Sequence, residues 1–137
     1  MALVAAVLLG FLAGLRTFTA PAILWLMRRP GPLAYVLAVL ALLEDAGDLH
    51  PGAPARTQPL GLIARACSGA FCGWTVTALG GAPIFAGVLL GALAAVGGAF
   101  AGLAARKLAI ERLGRLPAAL LEDAAAILAA AAVVAFV

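Results

Sequence analysis

The residues able to do chemistry crowd into one stretch, Glu44 to Arg65, which reads EDAGDLHPGAPARTQPLGLIAR. It holds three of the six acids, the single histidine, three of the eight prolines and two of the arginines. Glu44 and Asp48 are four apart and share a helical face, whereas Asp45 points about 100° away. Beyond this stretch, Arg16 lies in the run GLRTFTAPA, and Glu122 and Asp123 lie near the start of the last apolar segment. Carboxylates and arginines set between apolar runs suit two kinds of chemistry. Below the lipid headgroups the acids would carry or exchange protons or cations, while the arginines pair with them or hold an anionic group. Alternatively, the same charges are ion pairs that pin helices together, Arg16 or Arg65 with Glu44 and Arg106 with Glu122.

Other chemistry has less to stand on. No serine, histidine and acid arrangement, CxxC pair or phosphate loop is present, so an enzyme is the least supported class and no cofactor is implied. A divalent-cation site from Glu44, Asp48 and Glu122 has the hard oxygen ligands such ions prefer, but the adjacent arginines weigh against it. His50 beside Pro51 reads as a loop residue. Cys67 and Cys72, five apart, match no zinc or redox spacing and read as small core residues.

The elements that must position these groups are apolar. The chain has 66% hydrophobic and 11% charged residues and a mean hydropathy of +1.16, against an apolar share of roughly 45–50% in soluble domains. A soluble fold is excluded. A span needs ~20 mostly apolar residues, and 137 residues supply four or five of them with short connections. The net charge of +3, from nine Lys and Arg against six acids, reports orientation, since basic loops stay cytoplasmic, rather than nucleic-acid binding. The first residues lack the basic region of a cleaved signal peptide and read as a retained span.

In order, the first segment runs from Ala2 to Met27, with Arg16 about 21 Å from one end and a kink or break expected at Pro21. A turn at Arg28 to Pro32 leads to a span from Leu33 to Leu49, which places Glu44 about 9 Å below the surface near His50. His50 to Pro59 reads as loop, since three prolines and Gly52 prevent regular structure. Further spans run from Leu60 to Leu79, from Ile84 to Ala105, and from Pro117 onward, with a basic loop at Arg106 to Arg115. On five spans the N-terminus, the 50s loop and the basic loop share one side, expected to be cytoplasmic, with Arg28 and Arg29 opposite.

Two echoes point to a weak internal repeat, residues 1–60 against 61–137. ALLEDA occurs at Ala41 to Ala46 and at Ala119 to Ala124, and GAFCG at Gly69 to Gly73 is matched by GAFAG at Gly98 to Gly102. A site at the repeat interface would set Glu44 facing Glu122. Gly10 and Gly14, Gly69 and Gly73, Gly87 and Gly91, and Gly98 and Gly102 form four GxxxG pairs, which predict close helix packing or a homodimer.

GLRTFTAPA, the E-x3-D-x2-P-x2-P-x-RT arrangement of Glu44, Asp48, Pro51, Pro54, Arg56 and Thr57, the following GLIAR and the late LLEDA together resemble the DUF-4126 type of small bacterial membrane protein. The resemblance covers most of the chain. It implies an integral multipass protein and carries no activity with it; Leu49 stands where a lysine often follows the aspartate. The expectation is therefore one all-α membrane domain, residues 1–137, a polytopic helix bundle of about five spans. The alternative is four spans plus a re-entrant or broken first segment. It would sit in the bacterial inner membrane among lipids, as a homodimer, with no nucleic acid. Its function would be to carry a small solute or ion through a pocket formed by Arg16, Glu44, Asp48, Arg56, Arg65 and Glu122. The competing reading is a membrane scaffold or lipid-binding protein whose charges are structural.

Overall fold

A computed structural model describes residues 1–48 and 58–137. The described chain folds into six helices and, among the described residues, no strand. They are α1 (Ala2–Leu15), α2 (Thr19–Arg28), α3 (Pro32–Asp48), α4 (Pro59–Gly80), α5 (Ile84–Leu113) and α6 (Arg115–Ala135). Three of these, α4, α5 and α6, are long and apolar enough to cross a membrane. α1 is apolar but only 14 residues long.

The packing is inside-out relative to a soluble protein. The buried side chains are mostly alanines, while leucine, valine, isoleucine or phenylalanine side chains are exposed on every helix but α2, and the largest fully buried side chain is Arg16. An exposed apolar shell of this extent requires an apolar surrounding. Without a hydrophobic drive between helices, backbone proximity supplies the cohesion. α5 is the hub: Gly10 and Gly14 of α1 and Gly69 and Gly73 of α4 all meet it. A Cβ added at Gly10 would sit 2.4 Å from the Gly91 carbonyl oxygen, and one added at Gly73 would sit 2.0 Å from that of Gly87. These seams close within a single chain, so they are not surfaces left over for a second copy.

The glycine contacts also fix helix direction. Gly10 meets Gly91 and Gly14 meets Gly98, so α1 and α5 run parallel; Gly69 meets Gly91 and Gly73 meets Gly87, so α4 runs against them. Ala2 touches Gly80, and Met1 shares a surface groove with Phe136 and Val137. Both termini thus lie at the end of the bundle occupied by the turn after α4. The opposite end is where α3 stops at Asp48 and α4 starts at Pro59; residues 49–57 of the 50s loop, on which the expected sidedness turns, lie outside the described residues.

The first apolar segment is two helices, and the interruption is not at Pro21. Arg16 is extended (φ −139°, ψ 115°) and α2 begins at Thr19. Pro21 sits in the first turn of α2, where its missing N–H removes no intrahelical bond. After the break the chain turns back: Trp25 stacks on Phe71, and Ala20 and Leu24 join Ala5, Leu9, Cys72 and Val76 in one buried cluster. The segment is therefore a helical hairpin whose tip is Arg16–Phe18.

A second correction concerns the basic residues after Ala105. They continue α5 to Leu113, and the connection to α6 shrinks to Gly114, whose φ of +87° favours a residue without a side chain. Lys107, Arg112 and Arg115 are exposed on these helix ends. Arg65 lies six residues inside α4, Arg106 seven inside α5 and Asp123 eight inside α6, which puts the three at a common depth of about 9–12 Å. The hairpin tip reaches that same layer.

Candidate functional site

An interrupted helix leaves backbone groups without partners, and their satisfaction explains much of the charged layer. At the end of α1 the Gly14 carbonyl accepts a hydrogen bond from Arg65 Nε at 3.1 Å. At the start of α2 the Glu44 carboxylate accepts from the N–H of Thr17 at 2.9 Å and of Phe18 at 3.0 Å. Ser68 Oγ donates to the Thr17 carbonyl. The signs obey the helix dipoles, a cation at the C-terminal end of α1 and an anion at the N-terminal end of α2. Arg65 Nη2 and Glu44 lie 3.5 Å apart, closing an ion pair across the break.

The Arg16 side chain leaves the tip on the other side. Its relative exposure is 1%, and it contacts carboxylates from two helices: Asp45 at 3.1 Å and Asp48 at 2.7 Å from α3, and Asp123 from α6. A lone arginine in hydrocarbon costs about 2.5 kcal/mol or more, which these partners offset. Arg106 of α5 extends the array. Its Nη1 lies 3.1 Å from Asp48 and 3.7 Å from Glu122, and its Nη2 donates to the Asp48 carbonyl at 3.2 Å. Among the described residues the layer thus joins five carboxylates to three guanidiniums. No group of three or more His, Cys, Asp or Glu among the described residues is arranged to hold a metal.

Of the residues singled out in the sequence, Arg16, Glu44, Asp48, Arg65 and Glu122 come together in this layer; Arg56 and His50 lie outside the described residues. Glu44 and Glu122 each take a different arginine, Arg65 and Arg106. The ALLEDA echo instead converges through its aspartates, since Asp45 and Asp123 share Arg16. Asp45, Arg106, Asp123 and Ser68 are the participants that sequence reasoning left out of the pocket. The doubled Glu-Asp pair was the available signal for two of them, and the 100° separation of Asp45 from Glu44 obscured it, because the hairpin tip is wide enough to be touched on both sides. Cys72 is buried as expected, but Cys67 is exposed.

Beside the layer is a cavity of about 530 Å³, lined by Thr17, Phe18, Glu44, Asp48, Gln58 and Arg65 together with apolar residues of α3 and α4. Its size is that of small-molecule sites, ~300–1,000 Å³. The site can exchange a proton or a cation against its carboxylates, or stabilise helices through its ion pairs. No family model matches the sequence, and no curated protein or solved structure matches it.

Proposed function

We propose that this chain is a multipass protein of the bacterial inner membrane that carries a small solute or ion through the charged pocket at the hairpin tip. In this reading α3 to α6 cross the membrane and the α1–α2 hairpin is re-entrant, in place of a fifth full span. The basic ends of α5 and α6 face the cytoplasm. Glu44, Asp48 and Glu122 carry or exchange protons or cations, and Arg16 and Arg65, with Arg56, pair with them or hold an anionic group. The observation that carries the reading is the 530 Å³ cavity opening onto Glu44, Asp48 and Arg65 where the backbone is interrupted. Interrupted helices at membrane depth persist where they line a cavity, and their ends serve as ion and substrate contacts in carriers.

A scaffold is the second reading, favoured by the three carboxylates on Arg16 and by glycine seams with no slack for sliding. Proteoliposomes loaded with a pH-sensitive dye and given sodium, potassium or tetraethylammonium gradients separate the two. Cation-driven proton movement that disappears in Glu44→Gln while the protein stays folded supports the carrier. Rates equal to those of empty liposomes for all three cations leave the scaffold.

A further inference from the structure

We infer that the corner between α5 and α6 binds an anionic phospholipid, with its phosphate between Arg112 and Arg115 and an acyl chain in the groove below them.

α5 is 30 residues long, about 45 Å, which exceeds a hydrocarbon core by roughly 15 Å. Arg112 lies six residues beyond Arg106 of the ion-pair layer, so the corner stands about 9 Å nearer the bundle end, at headgroup level. Lys107, Leu108, Arg112, Leu113, Arg115 and Leu116 are all exposed there. Bare leucines are unfavourable in water and bare arginines in hydrocarbon. The boundary between the two suits both, with the leucines among acyl chains and the guanidiniums reaching out to phosphates.

Below the corner, α5 and α6 part around a groove of about 210 Å³, lined by Gly102, Ala105 and Ala109 on one helix and Ala118, Leu121 and Ala125 on the other. It forms because α5 turns its glycine face to α1 and α4 and meets α6 with alanines. Its surface is almost wholly apolar; Arg106 and Glu122 border it but lie 3.7 Å from each other. Arg112 comes three residues after Ala109, and Arg115 three before Ala118. Each therefore continues the groove-facing side of its helix, and the two flank the groove's mouth. Neither has an ion-pair partner among the described residues.

The sign of the head follows from where the acids are. Five of the chain's six belong to the ion-pair layer. The sixth, Glu111, is four residues after Lys107 and shares its face, about 100° away from Arg112. Residues 49–57, LHPGAPART, contain an arginine and no acid, so they add no negative charge to the corner. Paired guanidiniums match phosphate oxygens in a two-point geometry, and the cytoplasmic leaflet supplies anionic headgroups. A free phosphate would leave the groove empty, and a lipid without net charge would leave the arginines without a counter-charge.

The full chain in maltoside micelles is titrated with dioleoylphosphatidylglycerol or dioleoylphosphatidylcholine, which share acyl chains, and bound lipid per chain is counted by native mass spectrometry. Phosphatidylglycerol is expected to occupy one site per chain about tenfold more tightly than phosphatidylcholine. Arg112→Gln should weaken it about fivefold, and Arg112→Gln with Arg115→Gln should abolish the preference. Ala125→Trp fills the groove from an exposed position, leaves the charges alone, and should weaken it about fivefold as well. Lys107→Gln is the control, because it removes one charge from the side of α5 turned away from the groove; it should change affinity by less than about twofold.

Equal binding of the two lipids overturns the inference. So does an equal loss in Lys107→Gln and Arg112→Gln, which would show diffuse surface charge, or an unaltered affinity in Ala125→Trp, which would place the acyl chain elsewhere. Displacement of the lipid by an equal concentration of glycerol 3-phosphate also overturns it, since the phosphate alone would then be the ligand. None of these readouts involves flux, so the outcome stands whether or not the chain is a carrier.

Discussion

Asp45 and Asp123 hold equivalent places in the two ALLEDA segments and close on a single guanidinium, that of Arg16. One aspartate comes down α3 and the other goes up α6, so Arg16 ties together helices that are far apart in the chain. The tie is made at the tip of a hairpin that would otherwise present a bare charge to the bundle interior. It follows that the hairpin is held in place from both flanks rather than by its own packing alone.

Replacing Arg16 with leucine would remove the guanidinium that Asp45 and Asp123 share, while Asp48 keeps Arg106. Removing one side of a buried ion pair costs about 3–5 kcal/mol, and Arg16→Leu is expected to lose that much in detergent-micelle unfolding. Asp123→Asn should cost less, about 1.5–3 kcal/mol, because Asp45 and Asp48 still hold the guanidinium. The double variant should be no worse than Arg16→Leu by itself, since the two changes delete one shared interaction. Additive losses would show that the aspartate and the arginine act separately.

Glu44 differs in kind, because its oxygens serve backbone N–H groups at the start of α2 as well as Arg65. Glu44→Gln keeps one acceptor oxygen and loses the charge; Glu44→Ala leaves both donors without a partner. The expected order of stability is parent, glutamine, alanine, with the alanine variant down by about 2–4 kcal/mol for two buried donors left unsatisfied. Hydrogen exchange at the Thr17 and Phe18 amides reads the cause directly. Unchanged protection at both amides in Glu44→Ala would show that the carboxylate is not what caps the helix.

The helical class, the apolar surface and the residues worth watching were legible because composition and the Glu44–Asp48 spacing depend on no tertiary detail. Local signals misled in two places. Pro21 looked like a helix breaker, yet a first-turn proline breaks nothing, and the interruption is sustained by Glu44, Arg65 and Ser68 from elsewhere in the chain. Arg106 to Arg112 looked like a loop because of their charge, yet charged residues continue a helix readily once it leaves the apolar layer, and α5 stops only at Gly114. The fold-back of the first segment stood only as the alternative to five spans, because contacts such as Trp25 with Phe71, which no local pattern reveals, are what fix it.

Glycine pairs supply a sharp internal control. A Cβ at Gly91 would lie 2.2 Å from the Gly69 carbonyl oxygen, at the point where α4 meets the hub helix, whereas one at Gly97 meets nothing within 4 Å. Gly91→Ala is expected to destabilise by about 1–3 kcal/mol or more through overpacking. Gly97→Ala should be neutral or stabilising by up to about 1 kcal/mol, the ordinary gain from removing a helix-interior glycine. Unfolding midpoints in the same detergent compare them; equal midpoints would show that the three-helix seam is looser than the contacts require.

The hairpin also makes a prediction about sidedness. If the first segment crossed the membrane once, the N-terminus and Arg29 would lie on opposite faces; because it folds back, Ala2 sits beside Gly80 and α2 returns toward the same end. Single cysteines are introduced by insertion directly after the exposed Met1 and by substitution at Arg29 and Arg112, in a Cys67→Ala background with the buried Cys72 retained. Whole cells are then treated with a membrane-impermeant maleimide. The inserted cysteine and Arg29→Cys are expected to react together from outside, and Arg112→Cys only after permeabilisation, since the face richer in lysine and arginine stays cytoplasmic. The decisive comparison is between the inserted cysteine and Arg29→Cys, because it does not depend on which face is which. Reaction of one without the other would place the two ends of the hairpin across the bilayer and leave Arg16 in a continuous, merely kinked span.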